Sequence, residues 1–456
     1  MFKTNYKQMK KLFHTGLLIG LAVALTAGCK KKETEATPNP VVTPDPPKPP
    51  VTQVTPVSLE FTEILTADSE KKRLQLNWLA TDFSATGLYV PAYSTLKVHV
   101  ELTAGTQAPQ LLIGTYSRYN GWNSQPLVTN LKAGENEFLS PSEGLIWVRY
   151  TSNAPTSKAK LTFKAGFKPV PHYVYGKTTN QQWRDMLSSM ATAPDVILEG
   201  EKCYIVASLQ AAVNYQQENQ DKLLEKISSI IKIEDDYSGL DGSSSLHTPN
   251  VHRKYLLTQH EDPTYYMFAY NYRTAYIHTA VQAILKPDQV TWGPWHELGH
   301  LHQQIWTWPA ITEVTVNIFS REVQRRFTPA ENRLVTDKVW ERVPGYLAKT
   351  DKDFNSDASV GTEYLWVRLC MFEQLRLAFG DNFYPRLLKK VREDKPSLSS
   401  DGQKMDYFMK LACEISGRDL SDYFKKWGLN TSSSVYSTMA NMGLPKPASD
   451  ISLLRD

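Results

Sequence analysis

Cysteine is scarce in this chain of 456 residues: there are four, at positions 29, 203, 370 and 413. None lies two residues from another, so neither a structural zinc knuckle nor a dithiol redox motif is present, and three cysteines after Cys29 cannot build a disulfide framework. Buried free thiols are expected, with room for one disulfide. A membrane-spanning segment is also lacking at the N-terminus, because the apolar run from Leu17 to Ala27 falls short of the roughly 20 residues a bilayer needs. Net charge is lacking too. Lys and Arg number 51 against 47 acidic residues, but Lys3, Lys7, Lys10 and Lys11 fall in the first 28 residues, which hold no acid. Without them the two signs balance, and no basic stripe with interleaved aromatics stands out, which excludes nucleic acid as a partner.

What is present begins with those four lysines, the apolar run and Gly28-Cys29, the pattern of a signal peptide (1–28) ending at a lipid-modified Cys29. Thr26 departs from the leucine common three places before such a cysteine, although Leu25 is adjacent. Residues 29–56 are rich in Lys, Glu, Thr and Pro, including Pro46-Pro47-Lys48-Pro49-Pro50, a linker composition that cannot bury apolar area and stays extended. Together they predict a monomeric, extracytoplasmic lipoprotein, anchored by its N-terminus at the outer membrane or cell surface of a Gram-negative bacterium.

The remainder, in a chain 41% hydrophobic and 11% aromatic, can fill more than one core. Residues 57–168 alternate with period two, as in Leu96-Lys97-Val98-His99-Val100-Glu101-Leu102, and predict a β-sandwich. Tyr116, Tyr119 and Trp122 lie beside a Gly-Asn turn, where they either stack on sugar rings or close one end of the sandwich. From 169 to 446 short strands (195–200, 203–208) give way to helices at 217–233, 363–379 and 403–416, the last two stopped by Gly380 and Gly417. A short tail, 447–456, follows. The fold class is multidomain α+β: an N-terminal β-sandwich, then a mainly helical domain.

The chemistry concentrates in Trp295-His296-Glu297-Leu298-Gly299-His300. Histidines four apart on a helix share one face and can hold one zinc ion, with Glu297 beside it as a base. Gly293-Pro294 marks the helix start, and Gly299 at an interior position suggests close approach by another backbone or by substrate. A catalytic zinc takes three protein ligands and keeps one position open. The three-histidine extension of the metzincins is excluded, because Gln303 stands where their glycine belongs and Trp306 where their histidine belongs. A glutamate on the next helix is the other solution, after the break at Trp306-Thr307-Trp308-Pro309. Glu313 is that candidate, Glu322 the fallback, and Asn317 sits one turn beyond Glu313, able to orient a ligand through its amide. His302 reads as an exposed helix residue. Tyr265, Tyr266, Tyr270, Tyr272, Tyr276 and His278 are candidates to stabilise an oxyanion.

The segments 292–300 and Glu313-Val314-Thr315-Val316-Asn317 resemble blocks of the M60-like peptidases related to viral enhancins. So do Ala85 to Ala92, Phe379 to Tyr384 and Asp419 to Gly428, and the resemblance covers about residues 80 to 445. One departure is His278-Thr279-Ala280-Val281-Gln282, where family members often carry His-x-Gly-Tyr-Pro. The resemblance implies that 169–446 is a gluzincin-type zinc metallopeptidase domain with one Zn2+ per chain, held by His296, His300 and Glu313, with Glu297 as catalytic base. It also implies mucin-like, O-glycosylated protein substrates, a platform for which Trp306 and Trp308 could supply if they are not core residues. Two alternatives stand beside this endopeptidase: a non-catalytic glycan-binding or mucin-binding surface lipoprotein, and a zinc amidase acting on cell-wall peptides.

Overall fold

Two antiparallel sheets face each other at the start of the folded chain. The computed structural model describes residues 55–119, 121–250, 253–356 and 363–456; the expected signal peptide, Cys29 and nearly all of the linker lie outside them. One sheet orders the strands Val57–Thr62, Lys158–Ala165, Thr95–Ala104 and Gly134–Leu139. The other orders Lys168–Pro169, Ser84–Val90, Gly144–Arg149, Gln110–Ile113 and Leu127–Asn130. Period-two alternation makes the sandwich: Leu96, Val98 and Val100 turn inward while Thr95, Lys97 and Glu101 are exposed. The inward set meets Leu88, Val90, Leu111, Ile113, Ile146 and Val148 of the facing sheet in one core.

The outer face of the second sheet is also covered. Phe83, Leu112, Tyr116, Leu145 and Trp147 pack against Ile197, Tyr204, Val206 and Leu256 of a third sheet. Tyr116 stacks on Tyr272 with ring centroids 4.9 Å apart. Buried Arg118 donates from Nε to Asp195 Oδ1 at 2.9 Å, and Tyr119 Oη donates to the other oxygen at 2.8 Å. Trp122 leans edge-on against Tyr270, centroids 5.3 Å apart. These aromatics therefore build the joint between sandwich and third sheet.

That third sheet has six strands, in the order His172–Val174, Asp195–Glu199, Cys203–Ser208, Tyr255–His260, Arg273–Ile277, Met267–Tyr270. Two neighbouring pairs are antiparallel, Asp195–Glu199 with Cys203–Ser208 and Met267–Tyr270 with Arg273–Ile277; the others are parallel. The domain is thus mixed α/β, where sequence periodicity suggests a mainly helical one. The two expected short strands are present as Asp195–Glu199 and Cys203–Ser208; the other four are six residues or fewer, and buried strands this short carry no alternation to separate them from helix segments. The Gln220–Tyr237 helix lays Leu223, Leu224, Ile227, Ile230 and Ile231 on this sheet, and Trp295, Leu298 and Leu301 complete the same core.

Beyond residue 300 the helices Thr312–Phe327, Val339–Leu347, Glu363–Phe379, Phe383–Asp394, Asp401–Ser416 and Ser421–Trp427 enclose a separate core. Gly417, at φ 64°, caps the Asp401–Ser416 helix in the left-handed conformation that glycine adopts without strain. The C-terminal residues of the tail are docked on the helices. Ile451 is buried, and the Asp456 carboxylate accepts from Arg321 Nη2 at 2.9 Å and from Trp340 Nε1 at 3.0 Å. Cys203, Cys370 and Cys413 are buried free thiols. Among the described residues no helix is long and apolar enough to cross a membrane.

Candidate metal centre

The His-Glu-x-x-His helix, Trp292–His300, has nine residues and no side-chain cap at Thr291. A helix this short is marginal in water and is held by packing. Gly299 is where that packing is tightest. A Cβ placed on it would lie 3.1 Å from both Val316 O and Val316 Cγ2, and 3.3 Å from Phe319 Cβ, on the Thr312–Phe327 helix. Close approach by another backbone explains this glycine. Gly299→Ala gains about 1 kcal/mol of helix propensity but must displace a backbone carbonyl, and overpacking costs about 1–3 kcal/mol. We expect a net loss of about 1 kcal/mol, read as a lower urea midpoint at unchanged m-value.

That contact sets the two helices side by side and brings three side chains together. The rings of His296 and His300 lie with centroids 4.8 Å apart and almost perpendicular. Glu313 Oε2 is 3.0 Å from His296 Nε2 and 3.5 Å from His300 Nε2. One ligand atom from each of His296, His300 and Glu313 falls within 4.8 Å of the other two.

The opposite nitrogens of both rings are engaged. His296 Nδ1 faces Asn317 Oδ1 at 2.9 Å, and His300 Nδ1 faces Gln303 Oε1 at 2.8 Å. The amide orientations follow from their other bonds: Asn317 Nδ2 donates to Glu313 O, and Gln303 Nε2 donates to Thr312 O and to Thr315 Oγ1. Each imidazole therefore donates from Nδ1, and in its neutral form turns the lone pair of Nε2 toward the Glu313 carboxylate. Two neutral imidazole lone pairs and a carboxylate oxygen converging on one point repel unless a cation lies between them. Two nitrogens and one oxygen also form a donor set that suits zinc with a position left open.

Glu297 sits on the same helix, 6% exposed, with Oε2 lacking any hydrogen-bond partner among the described residues. Burial pushes its carboxyl up to about 8; His296 works against that rise and Glu313 adds to it. A buried carboxylate without a partner beside a donor triangle is what a proton acceptor for a bound molecule requires.

Glu322 and His278 do not join the donor triangle. Glu322 pairs with Arg325 at 2.7 Å and Arg326 at 2.8 Å, on the far half of its helix. Trp306 and Trp308 are core residues: Trp306 stacks on Phe408 at 5.1 Å, and Trp308 Nε1 donates to Asn355 Oδ1 at 2.7 Å. Tyr276 is fully buried in the sheet core, Tyr265 and Tyr270 pack against Trp122, and His278 Nδ1 is 2.9 Å from Glu261 Oε2. His302, expected at the surface, is 3% exposed. Gln303 escapes sequence reading as a histidine partner; its signal is an amide one turn after the second histidine of the motif.

Residues 166–428 match the family Peptidase M60, enhancin and enhancin-like, and residues 65–164 match the N-terminal domain of M60-like peptidases. This chain belongs to the M60 peptidase family. Among solved structures, a functionally unknown conserved protein from Bacillus anthracis str. Ames resembles this M60 chain with a TM-score of 0.78 at 30% identity, covering 88% of this chain and 82% of that one. The M60 catalytic domain of ZmpC from Clostridium perfringens, in complex with the sialyl T antigen, has a TM-score of 0.71 at 18% identity, covering 88% and 82%, a likeness of fold. The putative lipoprotein AcfD homolog of Escherichia coli (strain K12) is 23% identical over 442 residues, covering 81% of this chain. The M60 chain spans 28% of that relative's length.

Proposed function

We propose that this M60 family member is a zinc-dependent endopeptidase that hydrolyses peptide bonds in mucin-like, O-glycosylated proteins. The observation that carries the reading is the convergence of His296 Nε2, His300 Nε2 and Glu313 Oε2 beside the unpartnered carboxylate of Glu297. His296, His300 and Glu313 would hold one zinc ion, with Asn317 and Gln303 orienting the two rings. A bound zinc ion supplies Lewis-acid chemistry, polarising a carbonyl and acidifying water. Glu297 takes the proton of the attacking water and delivers it to the nitrogen of the departing amine. Burial of Glu297 keeps bulk water from competing for that proton.

The glycoprotein substrate class draws support from the ZmpC domain, which was solved with a sialyl T antigen. We further propose that residues 1–56 are a lipoprotein signal, the acceptor Cys29 and a tether, placing the enzyme outside the cytoplasm; a relative named as a putative lipoprotein supports this.

The test is to incubate soluble protein lacking residues 1–29 with mucin and with enzymatically deglycosylated mucin. Cleavage of mucin that falls at least about tenfold on deglycosylation, a difference of about 1.4 kcal/mol in transition-state binding, is expected. Equal cleavage of both contradicts the substrate class. Retention on immobilised mucin with no cleavage supports a non-catalytic binding protein instead.

A further inference from the structure

His302 lies two residues past His300, where the motif helix has ended, and it is buried. Its Nδ1 is 3.2 Å from Leu298 O and 3.2 Å from Glu234 Oε2, and its Nε2 is 3.1 Å from Asp235 Oδ1. Tyr255 stacks on the ring with centroids 5.6 Å apart, and Phe319 covers it at 5.8 Å. Glu234 and Asp235 are consecutive residues near the end of the Gln220–Tyr237 helix, 0% and 4% exposed. Burying two adjacent carboxylates against one histidine, with Lys202 Nζ 3.9 Å from Asp235 Oδ2, carries a large desolvation penalty, and apolar side chains of similar volume would fill the same space at least as stably. A stability role alone therefore gives a poor account of the cluster. What such a cluster does supply is one defined position for the segment that carries it.

The next residue shows what that position serves. Gln303 turns the other way: its Oε1 accepts from His300 Nδ1 at 2.8 Å, while its Nε2 is bound to Thr312 O and Thr315 Oγ1. The Gln303 carbonyl accepts from Asn77 N at 2.9 Å, so its backbone has already left the helix. Beyond His300 the turn keeps single backbone bonds, from His302 N to Gly299 O at 3.0 Å and from Gln303 N to His300 O at 3.3 Å, and side chains add the lateral ties. His302 is the one that ties it to the neighbouring helix.

We propose that His302, clamped between Glu234 and Asp235, is a positioning residue for the metal centre, fixing the turn that carries Gln303 and, through Gln303, the ring of His300. This rests on the reading of His296, His300 and Glu313 as metal ligands, and it adds a link to a helix that contributes no ligand.

The experiment uses the purified protein and the variants His302→Gln, Asp235→Asn, Gln303→Ala and the His302→Gln/Gln303→Ala double variant. Zn2+ affinity is read by chelator competition, ligand geometry by the visible absorption of the Co2+-substituted protein, and stability by thermal unfolding without metal. Partners that orient metal-bound histidines typically contribute about 10–100-fold in affinity. His302→Gln is expected to weaken Zn2+ binding about tenfold or more and to alter the Co2+ spectrum. The milder Asp235→Asn moves both in the same direction, and serves alone if His302→Gln does not fold. Because the path runs through Gln303, the double variant binds Zn2+ no more weakly than Gln303→Ala. A lower unfolding temperature with wild-type Zn2+ affinity and Co2+ spectrum overturns the proposal, as do losses that multiply in the double variant. If the wild-type protein itself binds neither Zn2+ nor Co2+, the ligand reading fails and this proposal with it.

Discussion

Glu297→Gln is expected to lower kcat/KM for glycoprotein cleavage by about three orders of magnitude, in the middle of the range for loss of a positioned general base. Glutamine keeps the size and the helical setting of the side chain but cannot accept the proton of water. Glu297 is not among the three groups whose ligand atoms converge, so metal content stays at the wild-type value. Among the described residues its Oε2 has no partner to strand, so the fold loses little. Active-site titration of metal alongside initial rates on mucin separates the two effects. A variant that keeps more than about a tenth of the wild-type rate would remove Glu297 from the mechanism.

The second large effect is on metal uptake. Glu313→Ala removes the only oxygen donor of the triangle and leaves two imidazole nitrogens, one short of the three protein ligands a catalytic zinc needs. Zinc affinity should fall by more than about 100-fold, the upper end for residues that merely orient a ligand. Activity falls with it and returns only in part at high zinc. Glu322→Ala is the matched control, since it removes a glutamate of the same helix that pairs with Arg325 and Arg326 and lies outside the triangle. Metal analysis after dialysis should find zinc in the Glu322 variant at the wild-type level and little in the Glu313 variant. Equal retention by both would place the oxygen ligand elsewhere.

These residues were legible in the sequence because the geometry that unites them is local. His296 and His300 share a helix face at any address in a fold, and Glu313 follows after one short break, on the next helix. The sandwich was legible for a similar reason, since a sheet with one face inward writes its period into the chain, as Leu96, Val98 and Val100 do. The third sheet was legible only in part: 195–200 and 203–208 read as short strands, but the pairing of Cys203–Ser208 with Tyr255–His260, some fifty residues away, leaves no mark in the sequence.

Burial of polar residues was the least legible property. His302 looks like a surface residue after the motif because the carboxylates that accept it belong to the Gln220–Tyr237 helix, more than sixty residues earlier. Trp306 and Trp308 read equally as a platform or as core in the sequence, because their cover, Phe408 and Asn355, comes later in the chain. Gln303 served in the sequence only to exclude a third histidine, yet in the fold it orients His300. In each case the deciding partner is distant in sequence, and one-dimensional periodicity carries no information about it.

The most direct test of the metal centre is an anomalous difference map at the zinc absorption edge from crystals grown with Zn2+. The account predicts one dominant peak per chain, within about 2.0–2.2 Å of His296 Nε2, His300 Nε2 and a Glu313 carboxylate oxygen. No peak between those three side chains, or a full-occupancy peak held by other residues, would contradict it.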